Sequence, residues 1–337
     1  KFDIYKAIMN HSNLFFQFAL RLPMSSLIDL YSIDKDFHWR FNKHGHSLIH
    51  DYIRYNSKEA SLIFSSMLAP KLCISDPTLK PMDGRHHLSR DIPSIRWIKM
   101  VMHRDTVLRE IMTYLALDGY RFPRTTFTTL AKFWALMEFR KQAQREAFVS
   151  DLKVWTDADI YRFQHFLVKL DMRFGNPIHG KGMCQLSRLL LSQRSMTVLR
   201  DILAGYIPMD YVSLCEMVIR TIPTQQLDNT TDPWINQDVG GLIPFREWGV
   251  MSQEDWKQSG KRLDFGVDLV IMEGIKRELH VEASFADFVA SGFIDSNTGK
   301  NRGLLGMGKD HYTLAMQPGR PKEEEIDAVE ARLDKFF

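Results

Sequence analysis

Four histidines, His38, His44, His46 and His50, fall in one short stretch, and His46 and His50 stand four apart. On a helix that spacing puts both imidazoles on one face, within reach of a single transition-metal ion. The acid that would complete a catalytic zinc motif is missing, because Ser47-Leu48 follows His46 where H-E-x-x-H needs a glutamate next. A solvated helix face is the favoured reading. His86-His87, beside Arg85 and Arg90 in a polar stretch, reads as surface.

Gly303-Leu-Leu-Gly-Met-Gly308-Lys309 matches the glycines and lysine of a phosphate-cradling loop. Asp310 then stands where a Ser or Thr hydroxyl should reach magnesium, and the preceding SNTGKNR is no hydrophobic strand, so a glycine-rich turn is expected and not a nucleotide site. His103-Arg104-Asp105 and Asp264-Phe265-Gly266 spell two kinase signatures, yet they lie far apart and lack the glycine-rich loop, strand lysine and catalytic-loop asparagine of that chemistry. Asp157 and Asp159 suit the first turn of a helix, where acids complement the positive dipole end. Asp171 lies between Lys169 and Arg173, which predicts an ion pair at a helix end. No G-x-S-x-G, paired-cysteine or family-context cysteine signal marks a nucleophile. The chain is therefore expected to be no enzyme and to hold no cofactor and no metal; an enzyme built around Asp171, Arg173 and the glycine loop is the outlying alternative.

The elements that would position such residues are bounded by composition. With 337 residues the chain exceeds the usual single-domain size, and 45% hydrophobic with 25% charged residues suits an ordinary folded protein. A net charge of +3 is too small to point to nucleic acid or an anionic membrane. Cys73, Cys184 and Cys215 are scattered and odd in number, which argues against a disulfide framework and for a reducing compartment. No apolar run is long enough to cross a bilayer. The first residue is Lys, so a targeting signal could precede it; cytoplasm or nucleus is the expected location.

The segment from Asn13 to Ile53 reads as short, closely packed helices around a Leu-Pro step. Leu14, Phe15, Phe18 and Leu22 form one helical stripe, and Pro23 suits the first turn of the next helix, where its missing N–H has no partner to lose. Leu27, Leu30 and Tyr31 continue the pattern. Asp34 can cap a further helix, with Ile33, Phe37 and Phe41 recurring every fourth residue so that the rings lie along one face.

These residues resemble the F-box, in the divergent version found at the start of many fungal proteins of unknown function. The matching elements are Leu22-Pro23, Leu27 to Leu30, and Lys35-Asp36-Phe37; the chain departs from the pattern with Phe37 where Trp is common and Asp34 where a small residue is common. The resemblance implies an adaptor that docks on the Skp-type component of a cullin ubiquitin ligase and presents a protein substrate. It makes Leu22, Pro23, Leu27, Leu30, Tyr31, Ile33 and Phe37 candidate partner-binding residues, some of which must instead fill the module's own core. A subunit of another fungal complex that keeps the module only for assembly is the alternative. Residues 155–177 and the following LLLSQRSMTVL look like a block from the same fungal proteins, to which no activity attaches.

Beyond the module the chain reads as mainly α-helical. A short helical pattern from Ser57 to about Pro70 leads into a turn-rich connector. Ile95 to Leu117 is an amphipathic helix stopped by Asp118-Gly119, and Thr125 to Phe148 reads as one further helix. A third begins at Trp155 to Asp159 and runs to about Met172, before a pair at Gln185 to Leu191 and Met196 to Leu203. After Pro223 the sequence turns polar, and twelve of the nineteen glycines fall from Gly240 onward, which marks a boundary. Phe265, Val267, Leu269 and Ile271 alternate as a strand would, with a helix through Leu279 as the competing reading. The tail places Ile326, Val329, Leu333 and Phe336 on one stripe of an acidic-first helix expected to dock on the body or on a partner. The division expected is an F-box-like module over 1–56, a central helical domain over 57–222, a glycine-rich region over 223–317 and an amphipathic helix over 318–337.

Overall fold

The computed structural model describes residues 3–76, 91–178, 180, 182–183, 186–193, 195–208, 210, 254 and 261–292. The chain is mainly helical, as expected. It divides into two compact units, Lys1–Thr106 and Val107–Phe337. The His86-His87 pair, the glycine loop at 303–309, Cys184, Cys215 and the tail stripe Ile326, Val329, Leu333 and Phe336 lie outside the described residues.

The first unit opens with a run of short helices: α1 (Ile4–Asn10), α2 (Ser12–Arg21), α3 (Met24–Ile33), α4 (Lys35–Lys43), α5 (Gly45–Asn56) and α6 (Lys58–Ile63). Each break has a local cause. Asp3 caps α1 by accepting from the Lys6 N–H at 3.2 Å, and Asp34 caps α4 by accepting from the Phe37 N–H at 2.6 Å. Pro23 sits one position earlier than the sequence pattern implies, at the N-cap of α3 with ψ of 148°, and its carbonyl accepts from Leu27 N–H at 2.9 Å. An extended proline there ends α2 without wasting a donor, because the residue before a helix needs only its carbonyl. Phe15, Ala19, Leu27, Phe37, Phe41, Leu48 and Tyr52 form the interior. Phe15 meets Phe37 edge to face at 5.3 Å, and Phe37 lies 6.2 Å from Phe41, so the predicted aromatic face exists. Ile33, which the same spacing would add to it, is 78% exposed because it closes α3 and lies outside α4.

The described residues of the connector that follows form two short strands. Strands β1 (Cys73–Ser75) and β2 (Asp91–Pro93) pair antiparallel, with Ile74 opposite Ile92. Ser94 locks their base by donating to the Leu72 carbonyl at 2.7 Å, and the indole N–H of buried Trp97 donates to the Phe64 carbonyl at 3.0 Å.

Helix α7 (Ile95–Leu117) has the bounds its periodicity predicts; its residues through Thr106 belong to the first unit and the rest to the second. The second unit continues with α8 (Thr126–Glu138), α9 (Gln142–Ser150), α10 (Asp157–Gly175), α11 (Leu186–Leu191), α12 (Thr197–Leu203), α13 (Gly266–Lys276) and α14 (Phe285–Ala290). Phe133 on α8 stacks on Phe163 of α10 at 4.6 Å, and Trp155 and Phe166 extend that core. Two expectations are corrected here. The helix expected over Thr125 to Phe148 is broken at Phe139 and Lys141, both extended. Fully buried Arg145 explains the break: its guanidinium donates to the Phe139 carbonyl at 3.0 Å and the Met137 carbonyl at 3.4 Å, satisfying acceptors that the end of α8 leaves open. The alternating run is helix from Gly266 onward, not strand, with Phe265 as its extended N-cap. Gly266, Val267, Val270 and Gly274 are its buried face, and the missing side chain of Gly274 lets α13 approach Ile160 of α10.

Candidate functional site

The Leu-Pro step is held from below by α5. The hydroxyl of Tyr52 donates to the Leu22 carbonyl at 2.8 Å and the amide of Asn56 donates to the Leu20 carbonyl at 3.3 Å, so the frayed end of α2 is satisfied by side chains. Burial raises the Tyr52 phenol to about 12, which keeps its proton in place for that bond. Sequence reading missed Tyr52 and Asn56, although a tyrosine and an asparagine four apart at the end of a helix are a visible pair.

The seven candidate residues of this module separate by exposure. Leu27 and Phe37 are fully buried and take the core share that the sequence anticipates. Leu22, Leu30 and Tyr31 are half-buried, whereas Pro23 and Ile33 are exposed. Tyr31 is engaged within the unit: its hydroxyl donates to Asn42 Oδ1 at 3.1 Å and its ring stacks on His38 at 4.2 Å. The unit also exposes Leu14, Trp39, Tyr55, Leu62 and Met67. Trp39 carries the Lys43 ammonium over its face at 5.0 Å, and Tyr55 carries the Arg21 guanidinium at 5.7 Å.

The histidine cluster divides as well. His38 packs on Tyr31 and His44 meets Phe16 edge on, while His46 and His50 meet edge to face with ring centroids 4.8 Å apart. Burial, with the neighbouring His46 adding to it, pushes His50 below the ordinary imidazole range. Among the described residues no group of three or more His, Cys, Asp or Glu is placed to hold a metal.

In the second unit the kinase-like tripeptide Asp264-Phe265-Gly266 opens α13 as a packing feature. A side chain on Gly266 would stand 2.6 Å from Met137 Sδ, so the glycine permits α13 to lie against α8. Gln142 Nε2 donates to the Asp264 carboxylate at 2.9 Å and the Asp264 N–H donates back to Gln142 Oε1 at 3.0 Å. The tripeptide His103-Arg104-Asp105 lies inside α7.

The carboxylates of α10 are all engaged. Thr156 and Asp159 form a reciprocal capping box, and Asp159, buried at the same time, accepts from Thr129 at 2.8 Å and from Lys132 at 2.7 Å. Burial works to raise Asp159, and the donated bonds from Lys132, Thr156 and Thr129 outweigh it and hold the carboxyl below its ordinary range. Asp157 pairs with Arg277 at 3.1 Å. The ion pair expected at Asp171 is not the one formed: Asp171 accepts from Ser187, Arg173 pairs with Asp118, and Lys169 turns inward. Burial raises the Asp171 carboxyl, with the Ser187 hydroxyl opposing it.

The inward face of α10 carries polar groups that the sequence stripe hides. His165 and Lys169 are both fully buried, one turn apart. His165 Nε2 lies 2.5 Å from Ser291 Oγ, and Lys169 Nζ donates to the Val289 carbonyl at 2.8 Å. Ser291 in turn donates to the Phe288 carbonyl at 3.0 Å, which leaves the Nε2–H as the donor in the first contact. His165 Nδ1 has no hydrogen-bond partner, so no carboxylate orients the ring as a general base requires. The arrangement clamps α14 to α10; it does not hold a nucleophile open to substrate. Beside the clamp, α10, α13 and α14 enclose a cleft of about 290 Å³ lined by Val168, Ile271, Ile275, Val281, Phe285 and Phe288.

Comparison with protein-family models, with curated proteins and with solved structures gives no match to this chain.

Proposed function

We propose that the chain is a protein-interaction adaptor, with its N-terminal unit as the docking element and a Skp-type adaptor of a cullin ubiquitin ligase as the partner to test first. One observation carries the reading: a unit built of short helices keeps Leu27 and Phe37 for its interior and still exposes Ile33, Trp39, Tyr55, Leu62 and Met67. Large apolar and aromatic side chains left at the surface of a small unit favour a protein partner, since covering them gains roughly 25 cal/mol for each Å² removed from water. The Leu-Pro step, fixed from α5 by Tyr52 and Asn56, would give such a partner a preorganised edge. Among the described residues no helix is long and apolar enough to cross a membrane. A cytoplasmic or nuclear setting, where such ligases work, belongs to the same proposal.

Burial decides which variants test it. A charge at Leu27 would break the core and lose binding for the wrong reason, so the informative variants are Ile33→Asp and Trp39→Ala, whose side chains are 78% and 58% exposed. Titration of the full chain with a purified Skp-type adaptor should give micromolar binding. Each variant should weaken it by roughly tenfold or more while circular dichroism stays unchanged. Undetectable binding by the wild type at micromolar concentration would sink the ligase reading, and a different partner recovered by native purification would favour assembly into another complex.

A further inference from the structure

We propose that His46 and His50 chelate one divalent transition-metal ion of the copper, nickel and zinc group, and that the closed chelate stiffens the helix that holds the Leu-Pro step. Both residues lie on α5, one turn apart on the same face, with ring centroids 4.8 Å apart. A metal–nitrogen bond of about 2.0–2.1 Å puts each ring centroid roughly 3.2 Å from the ion, so two imidazoles on one ion have centroids about 4.5 Å apart at a right angle and about 5.2 Å apart at the tetrahedral angle. The observed separation falls between these values. The rings meet edge to face with their planes at 80°, so one must turn for a nitrogen of each to converge. His46 is exposed and its outer torsion is broad, which makes that turn easy. Half-buried His50 is the fixed partner: its ring lies 5.9 Å from that of Trp97, whose N–H is tied to the Phe64 carbonyl at 3.0 Å.

Ligand number and type set the ion and how firmly it is held. Among the described residues no third His, Cys, Asp or Glu joins the pair, so the site falls short of the four protein ligands of structural zinc. Water completes the coordination, which suits an exchangeable ion, and a nitrogen-donor pair binds copper(II) more tightly than nickel(II) or zinc(II). Nearby charge is mixed: the Asp51 carboxylate favours a cation beside His50 and Arg54 opposes one.

The consequence for the unit runs through α5. The same helix carries Tyr52 and Asn56, which hold the end of α2 at the Leu-Pro step. An ion that ties two side chains across one turn resists unwinding of that turn, and a helix this short gains most from such a tie because it is marginal alone. An effect of the ion on partner docking rests on the function proposed above; the binding of the ion does not.

Calorimetric titration of the full chain with nickel(II) chloride tests the site. The wild type should bind at micromolar concentration, His46→Gln and His50→Gln should each weaken that binding by roughly tenfold or more, and His44→Gln should leave it unchanged. Because His46 is exposed, His46→Gln decides the matter even where His50→Gln fails to fold. Hydrogen exchange across residues 46–56 should slow by about tenfold in the wild type at saturating nickel(II) and stay unchanged in His46→Gln. Undetectable binding by the wild type, or binding that His46→Gln leaves intact and so marks an adventitious ion elsewhere on the chain, would overturn the site. Binding that leaves the exchange of α5 unchanged would overturn the stiffening.

Discussion

Lys169, wholly inside the second unit, donates from Nζ to the carbonyl oxygen of Val289 at 2.8 Å. That carbonyl belongs to the last turn of α14, where helix acceptors lack intrahelical donors and the dipole is negative. The ammonium therefore serves the end of one helix from the middle of another. Burial opposes its charge and holds Lys169 down to about 8.

The sign of the resulting pH effect follows from the two states. Below about 8 the folded and unfolded chains both carry the proton, whereas between about 8 and the ordinary 10.5 only the unfolded chain does. Stability should rise with pH across that window, by roughly 2 kcal/mol once solvent screening of the partly polar surroundings is allowed for. Urea unfolding of wild type and Lys169→Met, compared on either side of the window, should show a larger rise in the wild type. Parallel curves would remove Lys169 as its source.

His165 acts at the other end of the scale. Burial, reinforced by the nearby Lys169, pushes it down to about 3. Between about 3 and the ordinary 6.5 the unfolded chain takes up a proton that the folded chain refuses, so stability should fall as the medium is acidified through that range. The loss is up to about 5 kcal/mol if the whole shift is realised. His165→Phe suits the space beside Phe122 and Phe288, whose rings stand 5.5 and 5.6 Å away. Its thermal midpoint should depend less on pH below 6.5 than that of the wild type, and an equally steep acid limb would refute the assignment.

Asp159 ties the start of α10 to α8 through Lys132, with the two side chains 2% and 20% exposed. Its depressed carboxyl contributes stability that is complete above the ordinary aspartate range and is lost as the pH falls below it. Asp159→Asn keeps an N-terminal acceptor but strips Lys132 of its counter-charge, and should cost roughly 2–3 kcal/mol in denaturant unfolding at neutral pH. The double variant with Lys132→Met should recover part of that loss, because it also removes the stranded ammonium. A double variant no better than the single one would mean that the ion pair is not the coupling between them.

What the sequence discloses here depends on how each residue advertises itself. Helix α7 has the bounds read from its apolar spacing, and the start of α10 is legible because Asp157 and Asp159 mark its first turn, where Asp159 joins Thr156 in a capping box. The break after α8 carries no Gly or Pro; it depends on Arg145, which bonds Phe139 and Met137 while its guanidinium is anchored across the fold on the Asp264 carbonyl. Along α13, Phe265, Val267, Leu269 and Ile271 satisfy alternation by coincidence, while the helical face runs through two glycines that a search for apolar residues skips. His165 and Lys169 were hidden for the opposite reason: ionisable residues count toward the wet face of a stripe, and only the positions of Val289 and Ser291 explain their burial. In the N-terminal unit the Leu-Pro step was visible, but which of its apolar neighbours turn inward was not, because short helices leave several rotations compatible with one spacing.

The partners of Arg145, Lys169 and His165 also order events in time. Arg145 reaches the Asp264 carbonyl, Lys169 reaches Val289 and His165 reaches Ser291, across sequence separations of 119, 120 and 126 residues. During synthesis, α8 to α10 leave the ribosome with an imidazole and two cations aimed into an interior that does not yet exist. These bonds can form only once the segment carrying α13 and α14 has cleared the exit tunnel, so the long-range contacts of the second unit are completed late.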